Sequence, residues 1–240
     1  MDIQYRAGDH DAHFEDTHWW VRSRFLLIDR AMNRLYCVKP LRVLEIGCGT
    51  GVNLRYLEQR YADKLSELTG TDPYAEPLTR GKITIQKEIP AGEFDLVLAM
   101  DVLEHTDTPT ELLAQMRDRL RPAGILLVTV PAFQWLWTSY DEVAHHKKRY
   151  SIANLQKEVL DSRLKIERLF FLFSALFPLF VLQRLWIRAT AADPHIFKPV
   201  HPWINAFLYG ITKTEIHTWM PYNRWFGSSI VAIARREANG

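Results

Sequence analysis

Only two cysteines, Cys37 and Cys48, occur in the 240-residue chain. Two thiols cannot build the disulfide framework of a small secreted domain, so a reduced, cytoplasmic protein is the expectation. Neither sign of charge prevails. Thirty Lys and Arg face 28 Asp and Glu, a balance that argues against an obligate nucleic-acid partner. No apolar run reaches the about 20 residues a spanning helix requires. The longest uncharged greasy stretch lies between Arg168 and Arg184 and is interrupted by Pro178. The opening Met1-Asp2-Ile3-Gln4 is polar, unlike a secretory leader. Internal repeats and low-complexity tracts are absent. What remains is a length suited to one sizeable α/β core with appended elements, or at most two small domains, and eight tryptophans that point to an aromatic substrate side or a greasy contact surface.

The most informative stretch is residues 41–51, Leu-Arg-Val-Leu-Glu-Ile-Gly-Cys-Gly-Thr-Gly. An apolar run of this kind reads as a buried parallel strand. It breaks into Gly47, Gly49 and Gly51, residues that tolerate positive φ and let a ligand lie on bare backbone. A helix over Val52 to Arg60 follows, which completes the start of a nucleotide-type binding unit. Dinucleotide enzymes space their glycines G-x-G-x-x-G and hold a pyrophosphate on backbone amides. Here Val52 takes the place of the third glycine. Glu45, at the strand's end, would also repel a pyrophosphate in a poorly solvated cleft. S-adenosylmethionine carries a sulfonium, an α-ammonium and no phosphate, so an acid beside the loop suits it. Asp72, about twenty residues on, ends a second apolar run and can accept the ribose hydroxyls of either ligand class.

Val43-Leu44-Glu45-Ile46-Gly47-Cys48-Gly49-Thr50-Gly51 resembles the first motif of the class I S-adenosylmethionine-dependent methyltransferases, in particular a bacterial branch of methyltransferase type 11/12. The resemblance covers roughly residues 18–172 plus a terminal strand. It implies a Rossmann-like α/β fold: a seven-stranded, mostly parallel sheet with helices on both faces and an antiparallel last strand. The residue pattern agrees. Strands are expected at 82–86, 94–99, 124–130, 164–171 and 228–234, and helices at 109–120 and, capped by Ser151, at 152–160. The whole of 1–240 is expected to be one methyltransferase domain. An N-terminal helical cap over 1–38 carries His18-Trp19-Trp20. A hydrophobic, aromatic insert occupies 173–226, between the last two strands. Two readings of the insert's opening compete: a strand end plus a core helix, or a cap or interfacial helix whose Arg168, Arg184 and Arg188 face lipid phosphates.

The resemblance also implies roles. Glu45, Gly47, Cys48, Gly49, Gly51, Asp72, Met100 and Asp101 are the expected cofactor contacts, with Met100-Asp101-Val102-Leu103-Glu104-His105 close to the methionine half. Ubiquinone-pathway O-methyltransferases resemble this stretch and use acids and a histidine with a divalent metal; Asp101, Glu104 and His105 match loosely, and no metal is assigned. The segment Val130-Pro131-Ala132-Phe133 through His145-His146-Lys147-Lys148-Arg149-Tyr150 resembles a branch presumed to act on small molecules or on glycan or lipid precursors. Tyr140, Asp141, His145, Arg149 and Tyr150 are the expected substrate contacts, and the adjacent His145 and His146 with the cations Lys147, Lys148 and Arg149 read as an anion grip for a phosphate or carboxylate. An oxygen or nitrogen acceptor can need its proton removed, which histidine does best near neutral pH; His105 and His146 are the candidates. The leading expectation is methyl transfer to a small-molecule or lipid-linked acceptor. A metal-assisted O-methyltransferase and an inactive adenosyl-binding interaction module are the alternatives. Peripheral membrane contact through 169–188 and a homodimer are the further partner expectations.

Overall fold

The computed structural model describes residues 16–35, 39–190 and 200–236. Cys37, the segment 1–15 of the expected cap, and Pro194 and Pro199 of the insert lie outside the described residues. Eight strands form one sheet: β1 (Leu41–Ile46), β2 (Leu65–Thr71), β3 (Leu78–Arg80), β4 (Ile83–Gln86), β5 (Phe94–Met100), β6 (Leu120–Pro131), β7 (Leu164–Leu172) and β8 (Ser229–Arg236). Their order is β3-β4-β2-β1-β5-β6-β8-β7. The chain winds outward from β1 in one direction through β2 and β4, and in the other through β5 and β6. The switch point therefore falls between β1 and β5, where Val43 pairs with Leu96 and Ile46 with Ala99. Ligands of open α/β sheets bind beyond the carboxyl ends of the strands at such a point.

Buried parallel strands must be apolar on both faces, and β5 shows the consequence. Leu96, Leu98 and Met100 point into a core shared with α1 (Trp19–Met32) and α2 (Val52–Tyr61). Phe94, Val97 and Ala99 point into the opposite core, closed by Leu113 and Met116 of α3 (Pro109–Asp118) and Leu155 and Val159 of α5 (Ile152–Asp161). The short α4 (Ser139–Val143) sits between them in sequence.

As expected, the last strand is antiparallel: β8 inserts between β6 and β7 and runs against both. The sheet has one strand more than seven. The addition, β3, is a three-residue strand antiparallel to β4, exposed at every position. It carries no periodic apolar signal from which a strand could be read.

The insert corrects one reading. Residues 173–190 are no core helix. The helix α6 (Phe177–Thr190) buries only Ile187 among its residues, while Leu179, Leu182, Leu185 and Trp186 are half-exposed or more. Pro178 lies in its first turn, where a missing N–H costs nothing, so it starts the helix instead of breaking it. The second insert helix, α7 (Pro202–His217), packs on α1. Ser23 and Thr212 hydrogen-bond in the buried interface at 2.8 Å, and the Trp19 amide donates to Asn205 Oδ1 at 2.7 Å. N-terminal cap and insert are thus one structure. No described helix is long and apolar enough to cross a membrane.

Candidate functional site

The glycine loop leaves β1 with three left-handed residues, Gly47 (φ 70°), Gly49 (φ 50°) and Gly51 (φ 76°). A side chain at Gly47 would meet Val102 Cγ2 at 2.5 Å, whereas a Cβ at Gly49 would meet nothing within 4 Å. The loop is therefore packed from below and open above. The Gly47 and Cys48 amides donate to the Thr71 carbonyl, and Gly49 donates to Asp72 Oδ2 at 3.1 Å. Asp72, half-buried at the end of β2, is held against the loop's rim and also accepts the Tyr74 amide. The Cys48 thiol is buried, which pushes its pKa up. Its contribution is the backbone and packing against Gly70.

Glu45 is buried at the loop's root. Its Oε1 accepts from Asn53 Nδ2 at 2.6 Å, and its Oε2 has no hydrogen-bond partner. Burial pushes this carboxyl up to about 7, against the pull of Asn53 and Arg24. Asn53, in the first turn of α2, also lies 3.7 Å from Met100 Sδ. Sequence reasoning missed Asn53; its place two residues after Gly51 was the available signal. Asp101 stands next to Met100 in a left-handed conformation (φ 57°), a form of strain that collects at binding sites. It pairs with Arg24 of α1 and accepts from Thr129 Oγ1. Arg24 stacks on Trp20. A small cleft beside them is lined by Trp20, Arg24, Asp101, Thr129 and Phe173, so the cap closes over the carboxyl end of β5.

The second half of the site is a histidine pair. His105, exposed on the 3-10 turn Leu103–His105, and His146, on the loop after α4, stack edge to face with ring centroids 4.8 Å apart. Partial burial and His146 lower the pKa of His105. His146 Nδ1 lies 2.9 Å from Asp141 Oδ1. Burial pushes Asp141 up, but His146, Arg149 and the Thr138 amide outweigh it and hold the carboxyl at about 2. An ionised Asp141 makes Nδ1 the protonated nitrogen, leaving Nε2 with the lone pair. Nε2 is 4.0 Å from Glu104 Oε1. Glu104 is fully buried, both its oxygens lack hydrogen-bond partners, and burial pushes it up to about 8. Glu104, His105 and His146 offer ligand atoms all within 4.8 Å of one another.

The expected substrate residues divide. Tyr140 is half-buried with its ring 6.5 Å from that of His146, and His145 is exposed beside it. The other three are corrected. Asp141 and Tyr150 are fully buried and Arg149 nearly so. Arg149 Nε donates to Asp141 at 2.8 Å and its Nη1 to the Ala132 carbonyl, while the Tyr150 hydroxyl donates to the Leu103 carbonyl. A buried cation must be paired, and Arg149 is paired within the protein. Asp141, with Arg149 behind it, supports His146, and the Tyr150 hydroxyl is spent on the Leu103 carbonyl.

The model of a methyltransferase domain matches residues 20–169. A ubiquinone biosynthesis O-methyltransferase of Bradyrhizobium sp. (strain ORS 278) is 29% identical over 121 residues, 45% of this chain and 46% of the relative. The chain thus spans about half the length of the curated relatives it matches. Among solved structures, a methyltransferase complexed with the Trm112 activator from Haloferax volcanii superimposes with a TM-score of 0.57 at 16% identity, covering 95% of this chain and 93% of that one. A Haemonchus contortus phosphoethanolamine N-methyltransferase holding S-adenosylmethionine gives 0.54 at 16% identity, covering 91% and 53%. With the fold, the glycine loop and the match over more than half its length in agreement, the chain belongs to the family of methyltransferase domains.

Proposed function

We propose that the chain transfers a methyl group from S-adenosylmethionine to an oxygen or nitrogen atom of a small-molecule, lipid-linked or glycan-precursor acceptor, on the cytoplasmic side and at the inner membrane face. The observation that carries the cofactor assignment is Glu45 Oε2, a buried carboxylate oxygen with no protein partner beside an open glycine loop. A cationic ligand satisfies it; a pyrophosphate does not. Gly47, Cys48, Gly49 and Gly51 provide the cradle, Asp72 the ribose-accepting carboxylate, and Met100 and Asp101 the wall at the methionine half. When bound, the cofactor supplies a sulfonium methyl carbon; the acceptor's lone pair takes it, S-adenosylhomocysteine leaves, and the acceptor proton is passed on. His146 Nε2, freed by the Nδ1 bond to Asp141, receives that proton, with His105 beside it as the alternate base. Positioning and water exclusion supply the larger part of such an in-line transfer, a task for the Trp20–Arg24 cap, Tyr140 and His145.

The acceptor's lipid character is supported by the insert. Leu182 and Trp186 on α6, Trp203 and Phe207 on α7, and Trp225 are all more than half exposed. No acid occurs in 177–190, and Glu215, the one acid of 200–226, is buried. A second reading, metal-assisted O-methylation, is favoured by Glu104, His105 and His146 standing together with Glu104 unpartnered; the three would hold a divalent ion that acidifies a hydroxyl acceptor.

Calorimetry tests the cofactor assignment. S-adenosylhomocysteine binds and a nicotinamide dinucleotide does not, and Glu45→Gln weakens S-adenosylhomocysteine binding by about 10- to 100-fold, as for the loss of a charged hydrogen bond. Unchanged affinity in Glu45→Gln refutes it. Activity that survives chelator removes the metal reading.

A further inference from the structure

The helix α6 has two faces with different chemistry. Its outer face is apolar and exposed, whereas its two arginines turn inward onto the loop between β6 and α5. Arg184 Nη1 donates to Thr138 Oγ1 at 2.7 Å and lies 3.9 Å from Asp141 Oδ2. Its guanidinium also covers the Tyr140 ring, 4.4 Å from the centroid. One turn on, Arg188 donates to the carbonyls of Trp135 and Trp137. The loop so gripped carries His146.

The grip has a specific target. Asp141 Oδ1 accepts from His146 Nδ1 and Arg149 Nε, and Oδ2 accepts the Thr138 amide at 3.0 Å. Thr138 and Asp141 cap α4 reciprocally. Oδ2 has one backbone amide and the facing Arg184; without the arginine, that side keeps the Thr138 amide alone, on a turn that has lost its brace at Thr138 Oγ1, so the carboxylate is less firmly held against turning. A rotated carboxylate no longer meets the imidazole edge in plane, and the preference for Nδ1–H over Nε2–H falls. Arg184 is three-dimensionally adjacent to this loop only because α6 packs there; in sequence it is 38 residues beyond His146.

We propose that Arg184 is a positioning residue: from the insert it braces the Thr138–Asp141 turn and so fixes the orientation and tautomer of His146. The insert then does more than face the acceptor, since one of its side chains sets the proton-accepting nitrogen. This rests on the role given to His146 above, and the test separates the two. The 240-residue chain labelled with 15N-histidine is measured by long-range 1H–15N NMR at a pH of about 8.5, two units above the ordinary value of a histidine side chain. The readout needs no acceptor and no turnover. The expected result is a His146 ring mainly in the Nδ1–H form, at least an about threefold rise of the minor Nε2–H form in Arg184→Met, and near-complete restoration in Arg184→Lys, which keeps a cation facing Oδ2. S-adenosylhomocysteine affinity stays within about twofold throughout. An unchanged tautomer ratio in folded Arg184→Met overturns the proposal, whatever His146 does in catalysis. If that variant does not melt cooperatively, Arg184→Gln is read instead, with the same threefold criterion. A tautomer shift accompanied by unaltered turnover in His146→Asn keeps Arg184 as the brace and removes the base role of His146.

Discussion

Glu45 is a carboxyl whose protonation the fold itself has shifted. Burial raises it from an ordinary value near 4.5 to about 7. The folded state therefore holds the proton more tightly than the unfolded chain. Stability is unaffected below the unfolded pKa and is lost as pH climbs from about 4.5 to 7, by an upper bound of about 3 kcal/mol. Glu104, raised to about 8, acts with the same sign and extends the loss upward. Urea melts of the ligand-free chain are thus expected to show declining stability from pH 5 to 7.5. Glu45→Gln should flatten part of that slope, and Glu45→Gln with Glu104→Gln most of it. A slope equally steep in the double variant would show that the decline comes from other groups. Sequence made Glu45 legible because its chemistry follows from its place at the strand end before the loop. Asn53 and the unpartnered state of Glu104 were not legible, because each depends on which side chains meet in the folded site. Arg149 and Tyr150 were misjudged for the same reason: a basic, aromatic run reads as a surface grip until burial shows that its charge is spent internally.

At the level of elements, the glycine loop offers a contrast between two positions separated by one residue. Gly47 and Gly49 share the left-handed backbone, but only Gly47 is blocked by Val102. Gly47→Ala is expected to cost about 2–4 kcal/mol, combining the left-handed penalty with a backbone shift. Gly49→Ala should cost about 1–2 kcal/mol yet weaken S-adenosylhomocysteine binding at least as much, since its methyl group enters the open space above the loop. Equal stability losses in the two variants would contradict that geometry. Most regular elements were readable at this scale: the apolar strands and the capped helix after Ser151, which the structure gives as Ile152–Asp161, announce themselves by period and punctuation. The exceptions are instructive. β3 is too short and too exposed to carry a pattern, α4 is a single turn defined by the reciprocal Thr138–Asp141 cap, and Pro178 has the same composition signal whether it starts a helix or ends one.

For the whole molecule, the unusual property is an apolar surface without exposed acids over the described residues 177–190 and 200–226 of the insert, opposite the arginine-bearing face of α6. The proposed lipid-facing role makes a definite forecast. The chain should co-sediment with phosphatidylcholine vesicles. Leu182→Ser with Trp186→Ser should reduce that binding by about tenfold, in line with the apolar area removed. Binding that ignores the double substitution would leave this face without a lipid role. Self-association that disappears in the same variant would assign it to a second copy of the chain.

The pairing of α1 with α7 has a consequence for how the molecule comes into being. Trp19 and Ser23 wait for partners, Asn205 and Thr212, that are separated from them by 186 and 189 residues. During synthesis at about 5–20 residues per second, the doubly wound half with its glycine loop is complete well before α7 leaves the ribosome. The first helix must therefore spend that interval without the hydrogen-bond partners of its Trp19 amide and Ser23 hydroxyl. Closing so long a loop is the slow, non-local kind of contact. The nascent chain thus acquires the strands of its cofactor cradle first, and the cover from α7 only just ahead of β8, the strand that completes the sheet between β6 and β7.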